Sequence, residues 1–180
     1  HLKNELGIKQ IFIEDDAIFG RKKRGIKILE RMIELDLRVM NINGINIIHL
    51  VKKGNGKFKW EPDLELIKLM AKAGFTDFSL PFESGNSRVI KRWASNKWDA
   101  DNTNIKGLIE AFKDNNIKMH ANYMIGFPDE TKEEILNTLE FAKQNVDWGV
   151  TTSGFFIVMP LPGTQIFDYC IEKGHLPKDY

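Results

Sequence analysis

Ile117–Thr131 reads IKMHANYMIGFPDET, and the fold turns on how this stretch is understood. Its first residues alternate apolar and polar, the pattern of a strand, and Gly126-Phe127-Pro128 ends it abruptly before a helix start. Alternation places Met119, Ala121 and Tyr123 on one face and Lys118, His120 and Asn122 on the other. The first face suits packing against helices. The second carries a cation, an imidazole and an amide, and so borders a polar cavity.

The rest of the chain repeats this arrangement. Strands are expected at Gln10–Asp16, Leu37–Asn43, Phe75–Ser84 and Thr151–Met159, each followed by residues with helical spacing. The helices are Gly20–Asp36, one through Leu64–Ala71 with Pro62 as its first residue, a short one at Ser87–Trp93, and Asp101–Asn115. Another opens on the capping box Thr131-x-x-Glu134, and the last carries Phe167, Cys170 and Ile171. Strand starts spaced by roughly 30–40 residues suit βα crossovers and a parallel sheet. Gly44–Trp60 is irregular, and in it Lys52, Lys53, Lys57 and Lys59 interleave with Phe58 and Trp60. A solvated hairpin or loop is preferred there over a nucleic-acid patch, because the net charge of the chain is only +1.

A parallel sheet buried on both faces has near-continuous apolar strands. Four of these strands instead have one polar face: Glu14 and Asp16; Asn41 and Asn43; Ser79 and Glu83; Lys118, His120 and Asn122. A doubly wound sheet would bury them at a cost of several kcal/mol per unpaired charge. A partial (β/α) barrel, TIM-like but open, points them into a lumen. Five βα units in one domain, residues 1–180, fall short of the ~250 residues of a closed eightfold barrel. The site is then expected at the C-terminal strand ends, at Asp15, Asp16, Asn43, Glu83, Ser84, Asn122, Gly126, Met159 and Pro160.

Composition sets outer bounds. The mixture is that of an ordinary globular protein, with no apolar run near the ~20 residues of a membrane span and no leader-like N-terminus. A cytoplasmic location is expected, with no membrane partner and nucleic acid disfavoured. The single cysteine, Cys170, rules out an internal disulfide framework and any multi-cysteine metal site in these residues. Read from the residues alone, two functional classes stay open. One is a hydrolase or lyase whose divalent ion is held by Asp15, Asp16, Glu83 and His120. The other is a non-catalytic binding module.

Three segments carry a resemblance. ESGNSRVIKR after one strand, NYMIGFPDET through the next and PLPGT after the last resemble the radical S-adenosylmethionine (radical SAM) enzymes, above all the group associated with cobalamin-binding domains. The resemblance runs from about Gln10 to Tyr180. It implies a (β/α)6 core of which these units are the second to sixth, so that the chain reads as a fragment. It also implies a [4Fe–4S] cluster on a C-x-x-x-C-x-x-C loop, which this sequence lacks, and reductive cleavage of SAM to a 5′-deoxyadenosyl radical that abstracts hydrogen from a substrate. No metal ligand and no catalytic residue is assigned here, and the fragment by itself is expected to be inactive.

Carried over residue by residue, Glu83 and Asn122 match positions that contact the SAM ribose or methionyl part. Lys97 matches a basic residue facing the SAM carboxylate, and Asn43 matches a further contact. Gly126 and Phe127, with Met124, lie on the adenine side, where the motif's acidic residue falls at Asp129. Val158 to Pro160 would offer backbone to the adenine edge. Ser84 and Met159 complete the cofactor-side set. Glu14-Asp15-Asp16 stands where many relatives have a Gly-Gly-Glu amine-binding motif. Cobalamin enters as a possible further cofactor, and the unpaired strand edge of a truncated barrel invites self-association.

Overall fold

The computed structural model describes residues 1–15, 17–95 and 97–177. In chain order they form α1 (Leu2–Leu6), β1 (Gln10–Ile13), α2 (Lys22–Leu35), β2 (Arg38–Asn41), a 3-10 turn (Ile47–His49), β3 (Val51–Lys53), β4 (Trp60–Pro62), α3 (Leu64–Lys72), β5 (Phe75–Glu83), α4 (Ser87–Trp93), α5 (Ile105–Asp114), β6 (Lys118–Ile125), α6 (Lys132–Trp148), β7 (Thr152–Ile157) and α7 (Gln165–Glu172).

Five strands make one sheet in the order β1-β2-β5-β6-β7, and every pairing is parallel. The order never reverses. Right-handed crossovers that always advance the same way put all the connecting helices on one face, whereas a doubly wound sheet needs a reversal. The opposite face is left as a lumen. This is the open partial barrel that the polar strand faces predicted.

Burial follows the same division. Phe78, Leu80 and Phe82 of β5, and Met119, Ala121 and Tyr123 of β6, are at most 1 % exposed and form the core beneath the helices. Phe78 meets Phe112 of α5 at a ring separation of 4.5 Å. On the lumen side, residues from four strands join across the floor. The Arg38 guanidinium donates to Asp77 at 3.0 Å, His120 Nε2 lies 3.4 Å from the same carboxylate, and His120 Nδ1 lies 2.8 Å from the Thr152 hydroxyl. Burial alone would raise the Asp77 carboxyl, but hydrogen bonds from Thr76, Arg38 and His120 hold it below its ordinary range.

Two expectations need correction. Asn41 does not face the lumen. It shares the helix-side face with Val39 and is 1 % exposed, where it donates to Ile13 O at 3.0 Å and accepts from Gly44 N–H at 2.8 Å. The polar residue that β2 presents to the lumen is Arg38, beside Met40. Pro62 ends β4 rather than opening α3, whose N-cap is Asp63, accepting from Leu66 N–H. The basic-aromatic stretch is a hairpin, with the Lys57 and Lys59 ammonium groups over the rings of Phe58 and Trp60. Among the described residues no helix is long and apolar enough to cross a membrane.

Candidate cofactor site at the strand ends

Two loops build the upper end of the sheet, and each residue of the first has a separate task. Glu83 ends β5 at φ +65°, after a register shift against β6. The turn leaves its carboxylate largely buried and ion-paired with Lys97 at 2.6 Å, in place of the Lys118 or His120 partners available on the neighbouring strand. Ser84 is fully buried and turns the other way. Its hydroxyl lies 3.1 Å from that of Thr138 on α6 and accepts from Asn86 N–H at 3.1 Å. Gly85 is where the loop touches α6, since a Cβ there would stand 2.9 Å from that of Phe141. Asn86 completes the knot by donating to Glu134 O at 2.7 Å.

The second loop follows β6. Gly126 takes φ +83°, which favours a residue without a Cβ. The backbone N–H groups of Gly126 and Phe127 both donate to Glu130 Oε2, at 2.7 and 3.2 Å. So the carboxylate that closes this turn belongs to Glu130, one residue after the Asp129 of the sequence motif. Burial pushes the Glu130 carboxyl up, against those two N–H groups, and its Oε1 is buried with no partner among the described residues. Asp129 faces outward to the Trp93 indole at 2.6 Å and to Arg88 and Arg92 at 3.0 and 3.1 Å. Burial would raise it, but these donors hold it low.

Arg88 joins the two loops, and sequence reasoning missed it. It clasps both oxygens of Glu134 at 2.6 and 2.7 Å and also reaches Asp129. Glu134 meanwhile accepts from Thr131 N–H at 2.9 Å in the capping box. The Arg88 hydrogen bonds pull its carboxyl down to about 2.

Among the residues expected at the site, Glu83 and Lys97 meet directly, and Asn122 lies on the adjacent strand. Asn122 sits beside Pro81 of β5 and Gly154 of β7, one register step below Glu83. Its side-chain oxygen lies where a Cβ on Gly154 would be only 3.4 Å away, with the Phe156 ring on the other side. The Asn122 side chain is half-buried and has no hydrogen-bond partner among the described residues. Phe127 packs under Gly126 with Val89 and Val158, whereas Met159 is 71 % exposed and Pro160 half-buried. Asn43 lies apart, donating to Glu14 O at 2.7 Å and so tying β2 to β1. Asp15 accepts from Ala17 N–H in its own loop, and Asp16 lies outside the described residues.

The divalent-ion reading draws on Asp15, Asp16, Glu83 and His120; Asp16 lies outside the described residues, and the reading needs the other three to converge. They do not, because His120 is held on Asp77 at the floor, Glu83 on Lys97 at the top, and Asp15 in the β1 loop. No metal-binding cluster of these residue types occurs among the described residues. Cys170 is buried on α7 and lines a cavity of about 270 Å³ with Pro128, Val158 and Ile166, behind the Gly126 turn.

Residues 2–142 match the model of the family described as the radical SAM superfamily. The chain belongs to that superfamily. Cytidylyl-2-hydroxyethylphosphonate methyltransferase of Streptomyces wedmorensis is 25 % identical over 96 % of this chain and 30 % of its own length. An uncharacterized methyltransferase of Pyrococcus horikoshii is 30 % identical over 97 % of this chain and 34 % of its own. This radical SAM chain thus spans about a third of the length of the curated relatives it matches. The radical SAM methyltransferase TsrM of Kitasatospora setae, solved with cobalamin and a [4Fe-4S] cluster bound, superposes on 93 % of this chain and 31 % of its own with a TM-score of 0.68 at 16 % identity. That likeness is one of fold.

Proposed function

We propose that this chain is the SAM-holding part of a radical SAM enzyme of the cobalamin-associated kind, with the cofactor lying across the upper ends of β5, β6 and β7. The observation that carries the reading is the Asn122 amide. It is half-buried, faces the lumen, lacks a partner among the described residues and sits against bare Gly154. An amide not engaged by the protein is available to a ligand, and an amide oxygen with a carboxylate on the next strand suits the paired hydroxyls of a ribose. Glu83 supplies the carboxylate, and Lys97 supplies a cation for the ligand's own carboxylate end. The Phe156 ring offers a face to the base. Ser84 contributes by holding the loop to α6 rather than by touching the ligand.

The fit does not extend to the cluster. The one thiol, Cys170, is buried behind the Gly126 turn, and a cluster needs cysteine ligands from outside these residues. When cluster and SAM are both bound, they supply reductive carbon–sulfur cleavage and a carbon radical. The contribution of these residues is to orient SAM and, with the helix-backed sheet, to exclude water from one side. The open lumen and the exposed Phe156, Ile157 and Met159 leave room for a substrate and for other parts of the protein. The free edge of β1 is a place for self-association. Cluster-ligating thiolates need a reducing compartment, which supports a cytoplasmic site of action.

Calorimetric titration of SAM into the chain tests the proposal. Binding is expected to be measurable and to weaken about tenfold in Asn122→Leu, the loss of roughly one hydrogen bond that leaves its partner desolvated. An Asn122→Leu protein with unchanged circular dichroism that binds SAM as tightly as wild type would refute it.

A further inference from the structure

Outside the lumen, a cavity of about 260 Å³ opens between the β3–β4 hairpin and the loop joining α4 to α5. Its floor is Ile47 and Val51, both buried, and its walls are the indoles of Trp60 and Trp98. Lys59 and Lys91 stand at the rim. The Lys59 ammonium lies 5.4 Å from the Trp60 ring centre and has no carboxylate partner among the described residues. Lys91 has only a long contact, 3.7 Å, with exposed Asp101. The one carboxylate in the lining, Asp99, is engaged by the Asn102 amide at 3.1 and 3.2 Å.

The lining defines its occupant. Two indoles over an aliphatic floor favour a flat ring. Two underused ammonium groups at the mouth favour an anion on that ring. The volume falls below the roughly 300–1,000 Å³ of sites for drug-sized ligands, so one or two fused rings fill it. We infer that this cavity is a second small-molecule site, separate from the SAM site and independent of that assignment, which takes a planar aromatic carboxylate.

The cavity is also wired to the strand end. Trp98 Nε1 donates to Phe82 O at 2.9 Å, and Lys97, the residue before Trp98, pairs with Glu83, the residue after Phe82. An occupant that presses on Trp98 therefore presses on the loop that holds Lys97 against Glu83.

Indole-3-carboxylate is the probe, followed through the indole N–H signals of the full ¹⁵N-labelled chain. The signals of Trp60 and Trp98 are expected to move saturably, with a dissociation constant on the order of 1 mM for a ligand of about 12 non-hydrogen atoms, while those of Trp93 and Trp148 stay in place. Lys59→Met with Lys91→Met should weaken the acid about tenfold and leave neutral indole within about twofold. Both lysines are exposed, so the variant keeps the fold. Three results would each overturn the proposal: no movement up to about 20 mM, which lies beyond any specific affinity; movement at Trp93 or Trp148 instead; or equal loss of acid and indole in the lysine variant.

Discussion

Replacing Tyr123 by Phe isolates one buried hydrogen bond on the central strand. The Tyr123 ring is fully buried, stacked on Phe82 at 5.6 Å and on Phe155 at 5.1 Å, and met edge-on by Phe141 at 6.2 Å. Its hydroxyl accepts from Asn145 Nδ2 of α6 at 2.8 Å. Burial pushes the phenol up to about 12, against the hydrogen bond from Asn145, so it stays neutral throughout the working pH range. Phenylalanine keeps every ring contact and strands the Asn145 amide, whose Oδ1 already lacks a partner. Leaving a buried polar group unpaired costs about 1–2 kcal/mol. For a chain of this length that is a fall in Tm of roughly 3–6 °C. Combining Tyr123→Phe with Asn145→Leu removes both polar groups, and the double-mutant cycle should return a coupling of about 1 kcal/mol. Thermal and urea melts measure both. A Tm within 1 °C of wild type, or purely additive losses, would refute the reasoning that this bond pins α6 to the sheet.

Arg88→Met should cost about 1 kcal/mol at neutral pH, well below the full Glu134 shift because the pair is partly solvated. Glu134 is depressed in the fold, to about 2, so its stabilisation is present above its ordinary value and disappears as pH falls toward 2. The gap between variant and wild type, followed by urea melts from pH 7 to 2, should therefore close on acidification, and a constant gap would count against the ion pair. Gly85→Ala should lower Tm by several degrees, since its Cβ would meet the Phe141 side chain at 2.9 Å and Asn137 O at 3.2 Å, overpacking of about 1–3 kcal/mol. Anaerobic iron–sulfide reconstitution of the chain should leave no stoichiometric [4Fe–4S] cluster by iron analysis and visible spectrum. Finding one would overturn the assignment of its ligands to residues outside this chain.

What the sequence could and could not disclose has physical causes. β5 and β6 are long, with period-two patterns, and their lumen and helix faces were readable because burial enforces the alternation. β2 has only four residues and a register shift beside Val39. There alternation could not distinguish a lumen amide from one buried as a strand-end clamp, and Asn41 proved to be the second. In PDET two carboxylates are adjacent, and only the turn geometry decides that Glu130 folds back onto Gly126 while Asp129 meets arginines. Glu83 found its cation in Lys97 through a loop excursion, a partner that strand spacing does not reveal. Arg88 was visible as one letter in ESGNSR. Its partners lie 41 and 46 residues away, beyond any local pattern.

The strand order β1-β2-β5-β6-β7 has a kinetic consequence. Each sheet strand pairs with the sheet strand that precedes it in the chain, so the sheet can grow at one edge while the chain is being made, with no insertion between strands already joined. Loop-closure costs then arise one βα unit at a time. At every stage the newest strand presents an unpaired edge that its successor will cover, and the core beneath β5 and β6 is completed only once α6 has packed on them. The hydrogen bond from Asn145 to Tyr123 therefore belongs late in assembly, and its loss is expected to speed unfolding more than it slows folding.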